Sequence, residues 1–161
     1  GFDLLLRAFA KVKDRQKYRM ILSGGGPDKE RLERLSEELG IRPLVEFPGW
    51  VPREDLYRFF AKAHVFIFPR WWIEYGSAVL TEAMAFGLPS IIPGNGALEW
   101  LTKGTALTFQ NESVEELAER IEKLGEDRAL RAALATKSLT RAEELDSKTL
   151  AMRVASVLTS F

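Results

Sequence analysis

The chain has 161 residues, and its 23 Lys and Arg balance 23 Asp and Glu, a size that fits one domain and a charge that argues against general binding to nucleic acid or an anionic membrane. The absence of cysteine excludes disulfides, thiol catalysis and cysteine-bound metal clusters, and a single histidine makes any histidine metal cluster or Ser-His-Asp triad depend on His64 alone. With 46% hydrophobic and 29% charged residues, no apolar run near the ~20 residues of a membrane span and no signal-peptide pattern at the start, the expectation is a globular protein in the cytoplasm.

In chain order, Phe2, Leu5, Leu6, Phe9 and Val12 recur at three- and four-residue spacing, which predicts an amphipathic helix over 2–13. Tyr18–Ser23 is a short apolar run stopped by Gly24, Gly25, Gly26 and Pro27, a strand entering a turn. Asp28 stands where an N-cap would, before a helix through Leu39 that Gly40 ends. Leu44–Phe47 reads as a second strand, ended by Pro48-Gly49, and 53–63 as a helix turning Leu56, Phe59 and Phe60 inward. His64–Phe68 is a third strand, with His64 at its entry and no catalytic task assigned to it. A helix follows over Ser77–Phe86, stopped by Gly87 and Pro89. Pro89–Pro93 is a fourth strand, kept short by its prolines, and Thr105–Phe109 a fifth. Helices are expected over 113–124, 127–138 and 147–160.

Short apolar strands alternating with helices of about 10–12 residues specify an α/β fold: a Rossmann-like, doubly wound parallel sheet covered on both faces. Such a domain ordinarily opens on a strand that lies mid-sheet, whereas this sequence opens on a helix, so the first strand is expected upstream of Gly1.

Two segments fall where an open α/β sheet receives ligands, past the carboxyl ends of its strands. In the first, Gly24-Gly25-Gly26-Pro27, glycines let backbone approach a phosphate or sugar. The dinucleotide pattern G-x-G-x-x-G fails at Lys29, and no P-loop is present, so this turn alone needs no ligand. The second runs from Pro69 to Pro89. Glu74 precedes the start of a helix that carries Glu82 one turn beyond Ala78. The backbone N–H groups of Gly76 to Val79 would open that helix at the positive end of its dipole, a site suited to a diphosphate. Singly, Glu74 reads as a solvated loop charge and Glu82 as an exposed helix position; together, in this setting, they read as functional.

Glu74 and Glu82, with seven residues between, resemble the E-x7-E motif of the retaining GT-B glycosyltransferases of family 4, the group 1 type. The run Glu82–Ile91 (EAMAFGLPSI) is similar to that family's E-A-M-A-x-G-x-P-V-[IV]. GFDLLLRAF resembles the stretch that follows its Lys in K-G-x-D-x-L-[IL]-x-A-[FL], Ile21–Pro27 its I-x-G-x-G-P loop and Val45–Leu56 its V-x-F-x-G-x-V-x-x-x-x-L. Gly94–Glu99 is similar to its G-G-x-x-E segment. These matches occur in the family's order from Gly1 to about residue 124.

The resemblance implies that residues 1–161 form the donor-binding, C-terminal half of a two-domain enzyme. An NDP-sugar would lie between the halves, with the acceptor on the N-terminal half. It implies that Glu74 contacts the transferred sugar and that Glu82 binds the ribose. The backbone of Gly76, Ser77, Ala78 and Val79 would hold sugar and diphosphate, the backbone near Val51 would meet the base, and Gly24, Gly25 and Gly26 would line the cleft. No cofactor or metal is implied beyond the donor itself, and peripheral membrane association would come through the N-terminal half.

Ser77 stands where the family has the glycine of E-x-F-G, with glycine one place earlier at Gly76. The family's Arg-x4-Lys pair, which neutralises the diphosphate, would precede Gly1; Lys29 and Arg70 are other sources of positive charge. Trp71 and Trp72 suit either stacking on a ligand or packing against the companion half. Two other readings share these residues: a GT-B nucleotide-sugar epimerase, and a non-catalytic module that binds a nucleotide sugar or a protein partner.

Overall fold

The apolar stripe at the start of the chain folds as its spacing predicts from Leu5 onward: α1 (Phe2–Lys11) buries Leu5, Leu6, Ala8 and Phe9, whereas Phe2 at its first position is exposed. The computed structural model describes residues 1–70, 76–94, 96–149 and 151–152. Within them β1 (Met20–Ser23), α2 (Lys29–Glu38), β2 (Val45–Gly49), α3 (Arg53–Lys62) and β3 (Phe66–Ile67) follow in turn. Next come α4 (Ala78–Ala85), β4 (Ser90–Pro93), α5 (Ala97–Thr102), β5 (Ala106–Phe109), α6 (Val114–Glu126) and α7 (Arg128–Glu144).

Every strand pairing is parallel, as the alternation of strands and helices predicts. The strands form two sheets, β1-β2 and β3-β4-β5. Among the described residues no strand joins β1 to β3, the place where a doubly wound sheet has its middle. A shared core holds the two parts together. Leu22 and Val45 of the first sheet, Ile91 and Phe109 of the second, and Leu117, Ile121 and Leu124 of α6 belong to one buried cluster. Full burial of each such side chain contributes about 1.5–3 kcal/mol. On the other side Phe68, Leu80, Met84, Ile92 and Leu98 form a second cluster, with Ala142 and Leu145 against it.

Several boundaries depart from the sequence reading. The third strand covers only Phe66–Ile67, which stand in register with Ser90 and Ile91; the Phe68 N–H still donates to the Ile91 carbonyl at 2.9 Å, and His64 before them is exposed. α7 runs to Glu144 rather than stopping near 138, since Arg141 is drawn into the fold. Its guanidinium donates to the carbonyls of Leu101 at 2.9 Å and Trp100 at 3.0 Å, which satisfies the end of α5. That six-residue helix has too few turns to show a periodicity. Asp28 occupies the N-cap position of α2 without making the cap; its carboxylate instead accepts from Arg31 Nη2 at 2.9 Å. Phe60 is buried as expected, whereas Phe59 is only partly so; Tyr57 joins Leu56 in packing against the third cluster, Phe60, Ala83 and Leu88. The expected helix 147–160 lies largely outside the described residues.

What matters for function is which loops share an edge. Arg53 follows the carboxyl end of β2 and reaches Glu82 on the helix after β3. The carboxyl ends of the two sheets therefore open toward a common rim. Gly1 adjoins it as well, since a Cβ there would meet the Pro69 carbonyl.

Candidate functional site

The glycine turn after β1 is a close-fitting backbone feature. Gly24 and Gly26 have φ of +145° and +152°, values that a side chain opposes. The Gly24 N–H donates to the Gly49 carbonyl at 2.8 Å, which ties the loop to the end of β2. The turn lines a cleft of ≈ 280 Å³ together with Phe2, Phe47 and Lys29. Lys29 keeps its ammonium close by, 3.9 Å from Glu33, as one cation of this cleft.

The next stretch of rim is the link from β2 to α3. Trp50 is 78% exposed, and its Cβ lies 3.4 Å from where a Cβ on Gly25 would sit. Val51, the residue expected to meet a base, is half-buried between them and α3. Arg53 opens α3.

α4 begins as the sequence predicts. Ser77 is extended, with φ of −139°, and its hydroxyl accepts from the Leu80 N–H at 3.3 Å. Its carbonyl accepts from the Thr81 amide at 3.1 Å and the Thr81 hydroxyl at 2.7 Å. The serine that replaces the family's glycine is thus an N-cap. Among the described residues, the amides of Ala78 and Val79 donate to no acceptor. Gly76 is exposed, and a Cβ added there would meet no described atom within 4 Å. Val79 is partly buried against the second core cluster, so it contributes backbone rather than side chain to the rim. Glu74, Trp71 and Trp72 lie outside the described residues.

Glu82 sits one turn into α4 with its side chain 21% exposed, low for a carboxylate, which is rarely buried without a partner. Its partner is Arg53, whose Nη2 donates to Glu82 Oε1. Arg53 Nε donates to the Tyr57 hydroxyl at 2.5 Å, and the Tyr57 hydroxyl donates onward to Glu82 Oε1 at 3.4 Å. The guanidinium also lies 5.5 Å from the centre of the Tyr57 ring. The Tyr57 hydrogen bond and then Glu82 push the Arg53 guanidinium above its ordinary value. Sequence reasoning missed Arg53 and Tyr57. They stand 29 and 25 residues from Glu82, and the only available signal was a cation in the first turn of a helix that follows a carboxyl edge.

A family model described as glycosyl transferases group 1 matches residues 1–141. The chain belongs to this family. Among its group 1 relatives, the lipopolysaccharide core biosynthesis glycosyltransferase LpsD of Rhizobium meliloti is 32% identical over 136 residues, 83% of this chain and 38% of LpsD. A GDP-mannose-dependent alpha-(1-6)-phosphatidylinositol monomannoside mannosyltransferase of Mycobacterium tuberculosis is also 32% identical, over 80% of this chain and 36% of its own length. Among solved structures, Anabaena Alr3699/HepE in complex with UDP-glucose superimposes with a TM-score of 0.83 over 98% of this chain and 44% of HepE, at 23% identity. The fold is accordingly the Rossmann-like α/β arrangement of GT-B glycosyltransferases. This group 1 chain spans well under half the length of each of these relatives.

Proposed function

We propose that this chain is the nucleotide-sugar-binding, C-terminal half of a retaining glycosyltransferase that moves a hexose to an acceptor held by an N-terminal half. The observation that carries the reading is the start of α4. A Ser77-capped helix offers the amides of Ala78 and Val79, which donate to no acceptor among the described residues, beside Glu82 at the carboxyl rim of a group 1 glycosyltransferase fold. The names of relatives support a nucleotide-sugar donor, since one depends on GDP-mannose and another is a UDP-glucose complex.

In this mechanism the bond between the anomeric carbon and the diphosphate lengthens first, and positive charge gathers on an oxocarbenium-like sugar. Negative charge gathers on the departing diphosphate, where the helix-start amides and the dipole stabilise it. Such stabilisation grows as the bond breaks, so it lowers the barrier rather than merely tightening binding. One preorganised donor of this kind is worth roughly 10²–10³ in rate. Glu74 is assigned to the hydroxyls of the transferred sugar, Glu82 to the ribose, the backbone around Val51 to the base, and Gly24, Gly25 and Gly26 to the cleft wall. The reaction is assigned no metal, a cytoplasmic setting and peripheral membrane association through the N-terminal half.

Transfer by the full-length protein, with the anomeric configuration of the product read by NMR in the presence of a chelator, tests this reading. Retention with activity intact is the expected result. Inversion, or activity restored only by a divalent ion, would contradict it. Glu74→Ala is expected to abolish transfer while leaving nucleoside diphosphate binding nearly unchanged.

A further inference from the structure

Arg53 is an unusual residue for its position. It lies in the first turn of α3, where the helix dipole disfavours a cation. Its side chain is 69% exposed, yet three interactions hold it in one place: the Glu82 carboxylate, the Tyr57 hydroxyl and the Tyr57 ring face. A freely exposed arginine pairs weakly because ordering its long side chain offsets the attraction. Here the ring and hydroxyl of Tyr57 supply that ordering, and Tyr57 is itself fixed by its rings' contacts with Phe60 and Phe86 at 6.4 and 5.2 Å.

The consequence falls on Glu82. Both bonds from this network arrive at one oxygen, Oε1. Among the described residues, Oε2 accepts no hydrogen bond. A carboxylate offers about four acceptor sites across its two oxygens, so one oxygen is anchored and the other is left to serve a ligand. A vicinal diol requires an acceptor fixed in direction, and a carboxylate free to rotate would lose entropy on meeting it.

From this geometry we infer that Arg53, seated on Tyr57, is a positioning residue for Glu82, and that it sets recognition of the ribose diol without touching the nucleotide. The inference rests on the assignment of Glu82 to the ribose proposed above. It predicts that the effect of Arg53 is felt only through Glu82 and only by nucleotides that carry ribose hydroxyls.

The experiment is calorimetric titration of the intact protein with UDP, GDP and ADP. The best binder is then repeated as its 2′,3′-dideoxy form, using wild type, Arg53→Met, Glu82→Gln and the double variant. For the ribonucleotide, Arg53→Met should weaken binding by about three- to tenfold, and the loss should vanish in the Glu82→Gln background. For the dideoxy nucleotide, Arg53→Met should change nothing. An equal loss in both backgrounds would mean direct contact with the nucleotide and would overturn the inference, as would tighter binding, which would make Arg53 a competitor for Glu82. Arg53→Lys keeps the charge but loses the planar fork, and it should recover less than half of the lost affinity on a logarithmic scale. Because Arg53 is exposed, unchanged thermal unfolding of the variants checks that the fold is intact. Ribonucleotide binding that falls with Glu82→Gln but not with Arg53→Met sinks this inference alone. Indifference to Glu82→Gln sinks the ribose assignment as well.

Discussion

The amide of Gly24 donates to the carbonyl of Gly49 at 2.8 Å, joining the loop after β1 to the last residue of β2. This bond falls where the pairing of the two strands shifts register, between Ile21 and Ser23. Gly49 has a φ of +76° and is buried, so both partners of the bond have backbone geometry that a side chain opposes. Gly49→Ala is expected to cost about 1–2 kcal/mol from the left-handed backbone. Urea unfolding monitored by circular dichroism measures it, and a change below a few tenths would show that the loop does not need this geometry.

Ser77 and Gly76 have separable roles. Ser77→Ala removes the acceptor for the Leu80 amide and should lower stability by about 0.5–2 kcal/mol, whereas Ser77→Gly, which restores the residue common in the family, should cost only a few tenths. Gly76→Ala meets no described atom and should leave stability within about 0.5 kcal/mol. On the proposed function it nonetheless weakens donor binding, because a methyl group would stand where the ligand approaches. Unfolding and titration data on the same three variants check all of this.

How much of the site was legible depended on the range of the interactions. The helix stripe of α1, the glycine stop at Gly40 and the Ser77 start of α4 are local, and each appeared where its residues predicted. The limits of β3 and α7 were set by tertiary partners: the pairing of Phe66 and Ile67 with β4, and the reach of Arg141 to Trp100 and Leu101. Asp28 had the right residue type for a cap, but Arg31 three places on competed for its carboxylate. The grip of Arg53 and Tyr57 on Glu82 crosses from one helix to another, and no spacing in the sequence could reveal it. Glu74 and its relation to Glu82 fall outside the described residues.

Stability should depend on pH mainly in the acid range. Hydrogen bonds from Lys17, Arg31 and Lys11 hold the carboxyls of Asp14, Asp28 and Glu115 below their ordinary ranges. The folded state then binds fewer protons than the unfolded one between the depressed and ordinary values. Stability is fully present above the unfolded pKa values and is lost as pH falls through the folded ones. Urea midpoints should therefore stay level from pH 7 to about 5 and drop below about pH 4. Lys11→Met, which removes the 2.6 Å contact joining α1 to α6, should make that drop shallower. All three acidic groups face solvent, so 1 M salt should blunt it too.

The core that positions α4 should be intolerant of shortening. Leu80 is fully buried on the helix that carries Glu82, against Phe68, Met84, Ile92 and Leu98. Leu80→Ala should cost about 2–5 kcal/mol. Because it loosens the helix behind the site, any folded fraction should also bind nucleotide more weakly, a result that titration below the unfolding transition can read.

The central claim is that a nucleoside diphosphate sits at the carboxyl rim with its ribose on Glu82. Comparing titrations of wild type and Glu82→Ala with UDP, GDP, ADP and their sugar conjugates tests it most directly. The account predicts millimolar or tighter binding of at least one diphosphate to wild type. Affinity should fall about tenfold or more in the variant, in keeping with the loss of hydrogen bonds to a charged acceptor. Binding that is indifferent to Glu82, or no binding of any nucleotide by the intact protein, would contradict it.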